Sequence, residues 1–228
     1  MTSAVLQLIA IATMAIDHIG ILVPAGPVYW ILRGIGRTAF PLFVFMLAEG
    51  FVHTGSLRKY SARLCVFALV SELPYHFFML GPYWLDSLRN DPVSNVFYEL
   101  ILIFTALLGI KLAREKHWLL CALTVLSVVL AEAVGTMYGA YGVLLGVCFY
   151  LFRERRWLCV LSLAALTVIY CLRHGNILDI QIYAILAAVP VWLYNGERGK
   201  RLPRYFAYAF YPAHLLLLCG IDWIIRLT

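Results

Sequence analysis

Nine apolar stretches, separated by polar loops of no more than about a dozen residues, fill this chain of 228 residues. They cover roughly residues 4–23, 28–53, 60–80, 93–112, 117–134, 139–152, 157–172, 178–194 and 205–226. A backbone in hydrocarbon must satisfy its own hydrogen bonds, so only helices and closed barrels span a bilayer. Continuous apolar runs near the ~20 residues of a spanning helix favour helices. The composition agrees, being 63% hydrophobic and 13% charged, against roughly 45–50% and 25% in a soluble domain. The expected fold is all-α: a polytopic transmembrane helical bundle of about nine spans, forming one integral membrane domain over residues 1–228. The sixth and seventh stretches are short. Pro41 should kink the second.

The first stretch lacks a basic leader and a small-residue cleavage site, and it carries Asp17 and His18. It is read as a retained span, not a signal peptide. The cysteines Cys65, Cys121, Cys148, Cys159, Cys171 and Cys219 lie singly in apolar segments without a CxxC pair. They read as small buried hydrophobes, with no metal site implied.

The loops set the expected orientation. Arg58, Lys59 and Arg63 follow the second stretch, and Lys111, Arg114 and Lys116 the fourth. Arg153, Arg155 and Arg156 follow the sixth, and Arg198, Lys200, Arg201 and Arg204 the eighth. The alternate loops hold only Arg89 and Arg173, with Arg226 at the end. The positive-inside rule makes the basic loops cytoplasmic, the N-terminus inside and the C-terminus outside. The formal charge of +6 is then a matter of topology. Scattered basic residues on short loops do not make a nucleic-acid surface.

Ionisable groups inside spans are costly and mark sites or cavities. With the 1.5 Å helical rise, Asp17 and His18 fall in the outer half of the first span. Arg33 and Arg37 share one face of the second, also in its outer half. Glu72, Tyr75 and His76 lie past the midpoint of the third. Asn95 and Glu99 lie near the outer end of the fourth, Asp179 starts the eighth, and His214 is about midway along the ninth. Mutual neutralisation of Arg33 and Arg37 by Asp17, Glu72 or Glu99 is one account. It leaves the histidines unexplained, and a polar interior cavity open to at least one face explains more. Glu49 reads as a marker of the cytoplasmic boundary, and His53, His117 and His174 as solvated span ends. In Tyr138-Gly-Ala-Tyr141-Gly, close helix packing is the first reading and pocket lining the second.

Seven segments carry a resemblance in order along the chain. They are IATMAIDHIG (Ile11–Gly20), RGIGRTAFPLFVFMLAEGF (Arg33–Phe51), SELPY (Ser71–Tyr75), NVF (Asn95–Phe97), YGAYGVLL (Tyr138–Leu145), YNGERG (Tyr194–Gly199) and YPAHLLLL (Tyr211–Leu218). Together they resemble the TraX family of membrane proteins. Met137 is a departure, since an aspartate is expected before the Tyr-Gly pair. The resemblance implies N-acetylation of the amino terminus of a conjugative pilin. It also implies kinship with membrane acyltransferases that use a cytosolic coenzyme A thioester and an essential early histidine, to which His18 corresponds. The expected donor is therefore acetyl-CoA, and the expected location a bacterial inner membrane, with the lipid bilayer as surroundings. The acceptor is open between a peptide or pilin N-terminus, a sugar hydroxyl, an amino sugar and a lipid.

Acyl transfer needs a base at the acceptor's proton. His18 is assigned that part, with Asp17 or Glu72 expected to hold its ring; adjacent residues point about 100° apart, which counts against Asp17. The developing oxyanion needs donors, expected from Arg37, Asn95 or Tyr75. His214 is the alternative base. Arg58, Lys59 and Arg63 suit the donor's phosphates, and Arg33 and Tyr75 are placed with them in donor binding. No nucleophilic Cys or Ser stands out, so transfer is expected to be direct. A proton-coupled transporter or flippase is the rival reading, weakened by the lack of a visible inverted repeat. A noncatalytic chaperone is the third.

Overall fold

A computed structural model describes residues 1–81, 85, 95–175, 179–200, 203 and 205–227, apart from the side chains of 226 and 227. Arg89, Arg201, Arg204, the side chain of Arg226 and the segment limits at 93 and 178 lie outside the described residues. The described chain is helical. Its elements are α1 (Ser3–Leu22), α2 (Pro27–Gly36), α3 (Ala39–His53), α4 (Leu57–Leu80) and α5 (Val96–Glu115). A 3-10 turn (Trp118–Cys121) leads into α6 (Ala122–Val134), followed by α7 (Gly139–Phe152) and α8 (Arg156–Arg173). A 3-10 helix (Ile180–Ala187) leads into α9 (Ala188–Leu193), and α10 (Phe206–Leu227) closes the bundle.

Six helical stretches are long and apolar enough to cross a membrane, with α2 and α3 counted as one. Three apolar stretches are shorter: Trp118–Val134, Gly139–Phe152 and Ile180–Leu193. Many exposed side chains are apolar, among them Leu161, Ile169, Leu217, Trp223 and Ile224. Such a surface suits hydrocarbon and not water.

The second apolar stretch is two helices, where sequence reading expected one kinked span. Pro41 has no N–H to offer the carbonyl of Arg37, so the helical ladder fails there. The break falls at Arg37–Thr38, and Pro41 becomes the third residue of α3, where an N–H has no helical partner in any case. Thr38 Oγ1 donates to the Ile35 carbonyl at 2.8 Å across the break. Three other starts are capped by short polar side chains. Ser56 accepts from Lys59 N–H for α4, and Asn95 from Phe97 N–H at 3.0 Å for α5. Asp179 accepts from Gln181 N–H at 2.7 Å and so opens the eighth stretch as a cap.

α3 forms the middle of the bundle. Leu42, Val44 and Phe45 are fully buried. Phe45 meets Phe149 and Tyr194 edge-on, and Phe51 meets Phe104 and Tyr150. α5 and α7 approach closely because Gly142 and Gly146 carry no Cβ; one there would overlap Glu99 and Ile103. The chain's start is tied to the loop after α9. The Met1 ammonium donates to Leu193 O at 2.7 Å, and Ser3 N–H to Glu197 O at 2.8 Å. This puts the beginning of α1 and the basic residues Arg198 and Lys200 at one end of the bundle.

Candidate active site

The residues singled out from sequence do gather, but in three clusters with different partners. In the first, Asp17 of α1 receives both arginines of the α2 end. Arg33 Nη1 is 2.6 Å from Oδ2, and Arg37 Nη2 is 2.7 Å from Oδ1 and from Oδ2. Gly36 makes room for this, since a Cβ there would overlap the Asp17 carboxylate. Two guanidiniums against one carboxylate leave a formal +1 in a largely enclosed place. Asp17 thus fixes the arginines.

In the second cluster, His18 points to α10. Its Nδ1 is 2.9 Å from the Met14 carbonyl and 3.0 Å from His214 Nε2. Phe78 and Tyr211 stand edge-on to the ring at 5.4 and 6.1 Å. Among the described residues, the hydrogen-bond partners of His18 are therefore a backbone carbonyl and a second histidine. The carboxylates of Asp17 and Glu72, the two ring partners weighed from sequence, are engaged elsewhere.

The third cluster joins α4 to α5. Glu72 Oε1 is 3.1 Å from His76 Nε2, and Glu72 Oε2 accepts a short hydrogen bond from Asn95 Nδ2. Asn95 Nδ2 also reaches the Ala68 carbonyl at 2.9 Å. Glu72, His76 and Asn95 are all buried. Asn95 spends its amide on this clamp and its carbonyl oxygen on the α5 cap. Tyr75 packs against the His76 ring. Glu99, fully buried, accepts from Tyr138 N–H at 3.2 Å, where α7 begins. Acid at a helix start is favourable.

A cavity of about 230 Å³ lies between α1, α3, α4, α5 and α10. Ser3, Gln7, Tyr60 and Tyr208 line it toward the start of α1. Met14 and Tyr211, both in contact with His18, line it at the other end. Between Ser3 and Met14 the helical rise gives about 16 Å of length. Phe43, Met46, Leu64 and Leu100 make its walls apolar. Arg63 sits over the rings of Tyr60 and Tyr208, 5.2 and 5.9 Å from their centroids. Arg58 and Lys59, one turn earlier on α4, are exposed. Tyr60, Tyr208 and Tyr211 are not among the residues the sequence singles out as a site. The i, i+3, i+6 spacing of Tyr208, Tyr211 and His214 was the available signal.

A second cavity, of about 250 Å³, lies at the far end of α6, α7 and α8. Tyr138, Tyr141, Tyr170 and Met137 line it, and the Glu132–Arg173 ion pair adjoins it. The Tyr-Gly motif therefore serves both packing and lining. At the other end Arg156 lies 3.9 Å from Glu49.

The family model described as TraX protein matches residues 2–222. The chain belongs to the TraX family. A probable fimbrial assembly protein FimC, serogroup H1, of Dichelobacter nodosus is 29% identical over 231 residues, covering 94% of this chain and 93% of that protein. No solved structure matches the chain. All three clusters lie inside the TraX match, and the residues that hold them together come from its whole length, from Asp17 to His214.

Proposed function

We propose that this TraX-family protein is an acyltransferase of the bacterial inner membrane. It moves an acetyl group from cytosolic acetyl-CoA to an amine, such as a peptide or pilin N-terminus, or to a hydroxyl, on the extracytoplasmic side. The observation that carries this reading is the cavity lined at one end by Met14 and Tyr211, both in contact with His18. It starts beside Arg63, whose neighbours Arg58 and Lys59 are exposed, and its length is that of an extended pantetheine arm. Family membership and the fimbrial-assembly name of the relative support a pilus-related acceptor.

In this reading the chain crosses the bilayer nine times, the three shorter apolar stretches included. The N-terminus and the basic loops face the cytoplasm. Arg58, Lys59 and Arg63 hold the donor's phosphates. Tyr60 and Tyr208 flank the arm where it enters. The thioester then comes to rest near Met14 and Tyr211. His18 takes the proton from the acceptor's nitrogen or oxygen as that atom attacks the thioester carbon. The carbonyl oxygen gains negative charge, and the excess cation of the Arg33–Asp17–Arg37 group lies on the same turn of α1 to stabilise it. Collapse breaks the carbon–sulfur bond, and the proton passes to the coenzyme A thiolate. The acyl group crosses while the cofactor stays on its own side.

The test is purified protein in lipid nanodiscs with labelled acetyl-CoA and a panel of peptides, amino sugars and lipids, with products read by mass spectrometry. Acetylated product and free coenzyme A in equal amounts are expected. Absence of product with every acceptor, together with proton-coupled solute uptake by proteoliposomes, would establish the transporter reading instead.

A further inference from the structure

We infer that His214 is a positioning residue that fixes the tautomer of His18 and takes up the proton His18 collects. The inference rests on the acyltransferase reading for its role in turnover, and on geometry alone for the pairing.

Both histidines reach back one helical turn. His214 Nδ1 is 2.8 Å from the Phe210 carbonyl, as His18 Nδ1 is 2.9 Å from the Met14 carbonyl. A carbonyl only accepts, so the nitrogen facing it carries the hydrogen. His214 is then the Nδ1–H form, and its Nε2 presents a lone pair. That lone pair lies 3.0 Å from His18 Nδ1. His18 Nδ1–H donates toward two acceptors, the Met14 carbonyl and His214 Nε2. In the other tautomer its Nδ1 lone pair would face both of them and be repelled by both. The network therefore leaves His18 Nε2 unprotonated, which is the state a general base needs.

The surroundings hold His214 in this role. Phe210 stacks on its ring at 4.9 Å and 11°, and Tyr211 lies 5.7 Å away. Pro212, two residues earlier, leaves the Tyr208 carbonyl without its helical N–H. Once His18 Nε2 has accepted the acceptor's proton, the Nδ1 proton moves to His214 Nε2. One N–H bond forms and one breaks, and the positive charge comes to rest on His214, whose Nδ1–H still meets the Phe210 carbonyl. The proton returns by the same path and leaves on the coenzyme A sulfur.

The experiment compares His214→Leu and His214→Gln in nanodiscs, with folding checked by monodispersity and thermal melting. Leucine removes the acceptor for His18 Nδ1–H. Glutamine puts an amide oxygen at about the reach of the lost Nε2. His214→Leu should lower kcat about 10- to 100-fold with the apparent KM for acetyl-CoA unchanged, and glutamine, whose amide oxygen accepts a hydrogen bond but takes up no proton, should lower it to a similar extent. Nitrogen-15 NMR of histidine-labelled protein gives a readout that needs no turnover. His18 should be protonated at Nδ1 only in the native protein and in His214→Gln, and should become a tautomer mixture in His214→Leu. A single unchanged His18 tautomer in His214→Leu overturns the pairing, even if the protein transfers no acyl group. Native kcat in His214→Leu, or restoration of kcat in His214→Gln, overturns the relay.

Discussion

Arg37, at the break between α2 and α3, grips Asp17 of α1 with one nitrogen, Nη2, 2.7 Å from each carboxylate oxygen. The pair lies where Pro41 has cut the helix, so the guanidinium also marks the end of α2. Removing the carboxylate strands two arginines in a largely enclosed site. Asp17→Ala should cost about 3–5 kcal/mol of stability, seen as a lowered melting temperature in nanodiscs. A melting temperature within experimental error of the native value would show that the triad is not structural.

His18→Ala should lower kcat roughly 10²–10⁴-fold in a folded protein that still binds coenzyme A. Binding is measured by calorimetry beside turnover. Near-native kcat would remove His18 from the chemical step.

The cavity offers a test that does not touch the base. Ala207 lines it on α10. Ala207→Trp should fill the passage and abolish donor binding while the melting temperature stays near native. Unchanged coenzyme A affinity would place the donor elsewhere.

Replacing Arg58, Lys59 and Arg63 together by alanine should raise the apparent KM for acetyl-CoA with little change in kcat. Added salt should act in the same direction on the native protein, as exposed charge is screened within about 10 Å at 0.1 M. Arg63 alone should account for most of the effect, because it is the one held over the Tyr60 and Tyr208 rings. Unaltered donor kinetics in the triple variant would exclude this placement.

Orientation is checked by single cysteines at Arg198 and Lys200 in a cysteine-free background. An impermeant reagent should label them only from the cytoplasmic face of inverted vesicles. Labelling from outside intact cells would reverse the topology and the donor side.

The apolar stretches are legible in the sequence because hydrocarbon demands long continuous runs; Pro41 marks an irregularity in the second because it lacks an N–H, but the sequence implies a kink where the structure has a break. Asp17, His18, Arg33, Arg37, Glu72, Asn95 and His214 stand out for the same reason: charge and imidazole are costly in lipid. The 3-10 start at Ile180 left no such mark, as its residues are as apolar as those of an α-helix.

Partnership is what only the tertiary structure decided. Asp17 and His18 are neighbours in sequence, yet one meets α2 and the other α10, because successive side chains on a helix point about 100° apart. Asp17 pairs with two arginines sixteen and twenty residues away, and His18 with a histidine 196 residues away. The sequence by itself determined which residues must find partners inside the membrane. Helix packing determined which ones they found, since hydrogen bonds and ion pairs form over about 3 Å and only the bundle brings distant faces that close.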